Sequence, residues 1–433
     1  MSAARVMKPE SKESPHWTWL LLLGVVFFEY VRPTEWLLPF LRPLRLGGLM
    51  GVAMVIVFFA YEKKYLRTET IHRVCLLFMA LSAASVLWAY NNNAAFWRTV
   101  LLFWALIGFS FPINAILGSK ERIYKYFFFW IFVNSILAVY VITHGGHGTG
   151  SYLEDENDCG LVLNMSIPYC IFLMQLPGIT RMRKIMLAIA LLLLLVAVGV
   201  TGSRGAVVGL VGVLATMIYL SKRPVINAIW VGAAAAITVV VLLRTMPAAY
   251  INDMENMTNP SDSTRDERLW SWSIGWVMYK ENPVFGVGAG NYPWTNHLYA
   301  QKSPMWHPKR KILGGREAHS LYFTLLPEFG TVGSVAFFAI IVLMYRRYRI
   351  VRKCFRARAE PTEDEKRFNV LFISMMSTMV AFLVTSTFIS VLYYPPFWHL
   401  VGLFTATYRV AIRDIYPEAA QQAVAPPARM ARA

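Results

Sequence analysis

The 433 residues are 56% hydrophobic and only 15% charged, too apolar a composition for a soluble globular protein of this length. A formal net charge of +17 would suit nucleic acid, but the Lys and Arg gather beside apolar runs, where they set membrane orientation and meet anionic lipid. The absence of a GxxxxGK[ST] phosphate loop disfavours an ATP-driven pump, and Cys75, Cys159, Cys170 and Cys354 lack the spacing of a disulfide framework or thiolate metal site.

Apolar runs predict twelve helices, near 17–32, 45–61, 74–90, 97–116, 123–143, 159–176, 184–200, 205–221, 225–243, 320–345, 369–392 and 395–412. The first follows a polar N-terminus and ends in FFEYVRPTEW without a small-residue cleavage site, so it is expected to be an uncleaved span. Lys63, Lys64, Arg67 and Arg73, then Lys120, Arg122 and Lys125, then Arg181, Arg183 and Lys184, then Lys222 and Arg223 fall in alternate loops. With twelve spans these loops, the basic segment Tyr345–Arg358 and both termini share one face, which the positive-inside rule makes cytoplasmic.

The opposite face receives two sizeable loops: glycine-rich then acidic His144–Asp158, and Arg244–His319, long enough for a small external subdomain. Within the second, Asp266–Pro283 places Leu269, Trp272, Trp276, Val277 and Tyr279 at helical spacing, an amphipathic helix that Pro283 stops. FGVGAGNYPW after it is expected as a loop; without a preceding strand it is not a dinucleotide fingerprint. The expected organisation is all-α and polytopic: an N-terminal bundle over 1–243, the loop subdomain over 244–319, C-terminal spans over 320–416 and a disordered tail over 417–433.

Basic residues on the external face are few. Arg204, in VTGSRGAVVG, is either an interfacial arginine that snorkels or an anion contact, with Ser203 as a further donor and flanking glycines that admit close approach. Arg265 and Arg268, in STRDERLWSW, either form a surface ion-pair cluster with Asp262, Asp266 and Glu267 or join helix N-terminal amides in a diphosphate cradle. Ser263 or Thr264 is the expected cap. His319, at the lip of an apolar helix, is either a satisfied interfacial side chain or a base that titrates near neutrality. Arg316 and Glu317 precede it, Glu328 lies inside the same helix beside Pro327 and Gly330, and His144 and His147 form a weak HGGH metal candidate.

GSRGA closing one span, RLWSW followed by ENPVFGVGAGNY, and AHSLYFTLLPEFGTVG occur in that order around the large external loop. This ordered set resembles the O-antigen ligase and polymerase superfamily of bacterial envelope glycan enzymes. The resemblance implies a fold similar to class C lipid-linked glycosyltransferases and an inner-membrane enzyme working on the periplasmic face. It implies transfer of a glycan from undecaprenyl diphosphate to a hydroxyl, the acceptor being lipid A–core in a ligase, a second repeat unit in a polymerase, or an exported protein. His319 falls on the family's catalytic histidine, and Arg204 and Arg268 on its arginines. No metal or other cofactor is implied, and inversion at the anomeric carbon is expected. The ligase is the first expectation, the polymerase or protein O-oligosaccharyltransferase the second, and a lipid or sugar transporter an alternative of another class.

Overall fold

The structure, a computed structural model, describes residues 13–66, 69–220, 263–310 and 314–419, with the single positions 229, 232 and 236. Among the described residues the chain is helical and has no β-strand. In chain order the helices are α1 (His16–Tyr30), the short α2 (Pro33–Trp36), α3 (Leu46–Val57), α4 (Thr70–Ser85), α5 (Asn92–Phe103), α6 (Phe111–Ile116), α7 (Lys120–Thr143) and α8 (Glu156–Leu173). They continue as α9 (Arg181–Val200), α10 (Arg204–Leu220), α11 (Ser263–Glu281), α12 (Tyr292–Tyr299), α13 (Leu321–Arg356), α14 (Glu363–Thr385) and α15 (Pro395–Asp414). Every other expected apolar run is helical; the expected run at 225–243 lies outside the described residues apart from the single positions 229, 232 and 236.

Among the described residues six helical stretches are long and apolar enough to cross a membrane: Pro39–Tyr65, Asn92–Ile116, Lys120–Thr143, Arg181–Val200, Leu321–Arg356 and Glu363–Phe388. α1, α4 and α10 are shorter apolar helices. α8 and α15 occupy the centre: α8 is buried without interruption from Cys159 to Cys170, and α15 from Pro395 to Thr407. Protein surrounds these two helices on every side, which lets them carry Asn164, Ser166, His399, Thr405 and Thr407. α14 packs on α8 and α10, α7 on α9, and α13 on α4. α3 lies at the margin and turns Leu49, Val52 and Ile56 outward, each more than half exposed.

Three elements differ from the sequence expectation, each for a local reason. The basic segment after Tyr345 is helix rather than loop, because α13 runs on to Arg356 with Met344, Tyr348, Val351 and Phe355 buried at three- and four-residue spacing. The acidic end of the 144–158 loop is the start of α8: Asp155 is its N-cap, its Oδ1 accepting from Asn157 N at 2.8 Å. The glycine-rich stretch runs straight into α12, where Pro293 sits in the first turn.

α13 is broken inside the bundle. Gly330 has φ 59° and ψ −159°, and the segment 283–292 fills the break. Val287 N donates to Pro327 O at 2.8 Å and Gly288 N to Glu328 O at 3.0 Å; Thr331 N and Val332 N donate to Pro283 O and Val284 O. A Cβ on Gly286 would sit 2.4 Å from the Glu328 carbonyl carbon, and one on Gly330 2.4 Å from Val284 O. The glycines therefore serve close backbone packing between a loop and a broken helix. Glu328 closes the joint. Its carboxylate accepts from Gly290 N at 2.8 Å, Tyr292 N at 3.0 Å and the Tyr393 hydroxyl.

Candidate functional site

α9 and α10 are separated by a three-residue turn, tight enough to need φ 62° at Gly202. Ser203 caps α10: its hydroxyl accepts from Ala206 N at 3.1 Å and donates to Asn157 Oδ1 at 2.7 Å, which ties the α10 start to the α8 start. Arg204 is the first residue of α10, so its guanidinium stands where that helix leaves amide N–H groups unpaired. Gly205 admits Phe388, whose Cβ would lie 3.0 Å from an added methyl group.

α11 begins at Ser263, and Arg265 and Arg268 occupy its first two turns, three residues apart and so on neighbouring positions of one face. The side chains of Ser263 and Thr264, the expected caps, lie outside the described residues. A cleft of about 460 Å³ opens between the two helix starts. Ser203 and Arg204 from the α10 start and Arg265 and Arg268 from the α11 start line it together with Glu156 and Asn157, and Val208, Leu269, Trp272 and Phe388 supply apolar lining. Three guanidiniums and two helix N-termini make a strongly anion-attracting end, and guanidinium presents forked donors to phosphate oxygens. From the residues alone Arg265 and Arg268 are one candidate cradle and Arg204 stands apart, joined to Arg268 only by the family resemblance; in the fold all three line one cleft.

His319 does not line the cleft but stands beside it. Ser320 is the N-cap of α13, its Oγ accepting from Phe323 N at 3.5 Å, so His319 precedes the cap rather than sitting in the first helical turn. Its backbone is left-handed, φ 48°, a conformation that costs an L-residue about 1–2 kcal/mol. The preceding carbonyl, Ala318 O, accepts from the indole N–H of the cleft residue Trp272 at 3.0 Å. Trp272 is itself stacked on Phe323 of α13, centroids 5.4 Å apart and rings 9° from parallel. One tryptophan thus forms a wall of the cleft and holds the loop that carries the imidazole.

The His319 ring remains accessible at its surface while protein crowds its other sides. That partial desolvation, with the positive charges of Arg268 and Arg316, holds its pKa below the ordinary 6.5, against the opposing pull of Asp155 and Glu267. The imidazole is therefore neutral, and able to take a proton, at neutral pH.

The two charged residues before it point elsewhere. Arg316 pairs with Glu267 on α11 at 2.7 Å. Glu317 pairs with Arg98 on α5 at 2.6 Å, so Arg98, and not His319, is its charged partner. Burial pushes the Glu317 carboxyl above its usual range, with Arg98 pulling the other way. Arg98 escaped the sequence reading, although an arginine inside the first two turns of an apolar helix was a signal, given a cost of roughly 2.5 kcal/mol or more at a bilayer centre. Asn157 and Phe388 were missed for a different reason: nothing local marks them as cleft residues.

His144 is stacked on Tyr140 with centroids 3.8 Å apart, and His147 Nδ1 lies 4.0 Å from Glu156 Oε2. Among the described residues no three His, Cys, Asp or Glu side chains converge as a metal site. Of the five tryptophans in the 244–319 segment, Trp270 is buried beneath the Arg310 guanidinium, Trp272 lines the cleft, and Trp276, Trp294 and Trp306 are exposed.

No curated protein matches the chain. Residues 189–338 match the family model described as O-Antigen ligase, a span that runs from α9 through the cleft arginines and His319 to beyond the break in α13. This match supports the resemblance to the O-antigen ligase and polymerase superfamily over that part of the chain.

Proposed function

We propose that the protein is a periplasm-facing O-antigen ligase of the bacterial inner membrane, with the twelve-span, class C glycosyltransferase-like layout expected from its sequence. It moves a glycan from undecaprenyl diphosphate to a hydroxyl of lipid A–core. The observation that carries the reading is the single cleft lined by Arg204, Arg265 and Arg268, with the His319 loop tied to its wall through Trp272. The cleft suits a diphosphate: fixed guanidiniums and helix N-termini meet negative charge without reorganising during reaction. Ser203, committed to capping α10 and to Asn157, shapes the arginine turn.

In the proposed step the acceptor hydroxyl loses its proton to His319 as its oxygen attacks the anomeric carbon. The bond from that carbon to the diphosphate oxygen breaks, and the electron pair leaves with the diphosphate, whose charge the arginines hold. A single in-line displacement inverts the anomeric centre and requires no metal among its participants. The neighbouring Arg316–Glu267 and Glu317–Arg98 pairs support the loop.

The test is reconstitution of the full chain with undecaprenyl-diphosphate glycan and three competing acceptors: lipid A–core, a second donor molecule, and an unfolded acceptor protein. Glycan on lipid A–core is the expected result. Glycan on the second donor or on the protein would replace the ligase assignment with a polymerase or a protein O-oligosaccharyltransferase, and vesicle transport without covalent transfer would remove the enzyme reading.

The lowered His319 pKa sets a pH dependence. A base works when neutral, so kcat/KM, which reports the free enzyme, is expected to hold as pH falls past 6.5 and to decline only below it. Arg268→Ala removes a positive neighbour, so the acid limb should then move to higher pH. A wild-type limb at or above 6.5, unmoved by Arg268→Ala, would count against His319 as the base.

A further inference from the structure

We propose that Arg98 of α5, which lies outside the O-antigen ligase domain span, is the positioning residue for the His319 loop. The inference rests on the reading of His319 as the base. Glu317, two residues before His319, is drawn to Arg98 Nη2 at 2.6 Å. The Arg98 guanidinium also lies over the Tyr393 ring, 5.5 Å from its centroid. Tyr393 donates to Glu328, the carboxylate that gathers the glycine loop. The stem of Arg98 packs where a Cβ on Gly290 would come within 2.3 Å of its Cγ, so the glycine loop leaves room for this side chain. Arg98 therefore joins α5, the glycine loop, the segment before α15 and the loop of His319.

This junction supplies what the loop itself lacks. His319 sits in a left-handed conformation that its own preference does not maintain. On its C-terminal side Ser320 starts α13; directly before it the Ala318 carbonyl is held by Trp272. Farther back Arg316 is held by Glu267 and, at its carbonyl, by Asn296, whereas Glu317, two residues before His319, is anchored on Arg98. Loss of the Arg98 anchor removes the inward pull on the segment next to the strained residue and loosens the imidazole's placement, without touching the arginines that line the cleft.

The experiment compares Arg98→Ala, Arg98→Lys and Glu317→Gln in the purified full chain reconstituted with the lipid-diphosphate glycan donor. Arg98→Ala is expected to lower kcat by about ten- to hundredfold, the penalty of a small misplacement of a reacting group, with donor KM within about twofold of wild type. Arg98→Lys keeps the charge and should recover part of the loss. Glu317→Gln keeps an acceptor oxygen for Arg98 and is the variant least disturbing to folding; it should share the kcat defect at a smaller size. The charge-exchanged double variant Arg98→Glu with Glu317→Arg should exceed either single reversal. A defect confined to donor KM, a Glu317→Gln enzyme with unchanged kcat, or a double variant no better than its parents would each overturn the positioning role. Absence of transfer by the wild-type chain would instead strike the ligase reading on which the inference rests.

Discussion

His319→Ala is expected to lower turnover by about 10²- to 10⁴-fold, the usual contribution of a positioned general base. Donor binding should survive, because the imidazole stands beside the cleft and the guanidiniums line it. The folded state should also survive, which a melting curve alongside the rate checks. Its backbone neighbours keep their anchors: Ala318 O on Trp272 and Ser320 at the start of α13. His319→Asn, which tolerates left-handed φ, separates the two roles. If base chemistry is the function, His319→Asn should be as slow as His319→Ala although its loop is better held. Retained turnover in either purified variant would sink the base assignment.

The arginines carry the second large effect. Arg204→Ala and Arg268→Ala should each lower kcat/KM for the lipid-diphosphate donor by about ten- to hundredfold, the range for losing a charge-assisted hydrogen bond of roughly 1.5–3 kcal/mol. Lysine at either position should restore only part of the loss, since an ammonium keeps the charge but not the planar fork that meets two phosphate oxygens. Arg265 is exposed at the rim, and its replacement should matter less than that of Arg268, which is half-buried. Residues in one cleft do not act independently, so the double variant is expected to fall short of the product of the two single losses. Full activity in both single variants, with unchanged donor affinity, would remove the diphosphate site.

Much of the helical layout was legible because its cause is local. A run of apolar residues makes a helix wherever it falls, and α7, α9 and α10 begin and end within a few residues of their expected limits. The misses came where the next turn was decided by a neighbour. α13 continues through its arginines because Tyr348, Val351 and Phe355 find a buried face, which charge content alone does not reveal. Glu328 was visible as a carboxylate in an apolar helix, but its partners are amides of a loop that reads as loose and glycine-rich.

By itself the sequence determined the membrane class, the helical elements, the order of motifs around one long segment and the identity of the residues suited to bind an anion or accept a proton. These follow from composition, from three- and four-residue periodicity and from residue chemistry, all of which are properties of short stretches of chain. Only the tertiary structure decided which of those residues meet. It brought the α10 start and the α11 start to one cleft, gave Trp272 both a wall of that cleft and the carbonyl beside His319, and paired Glu317 with an arginine 219 positions away. The physical reason is that a charge or an indole N–H can be satisfied by any partner the packing brings within about 3 Å, and sequence spacing does not encode that choice.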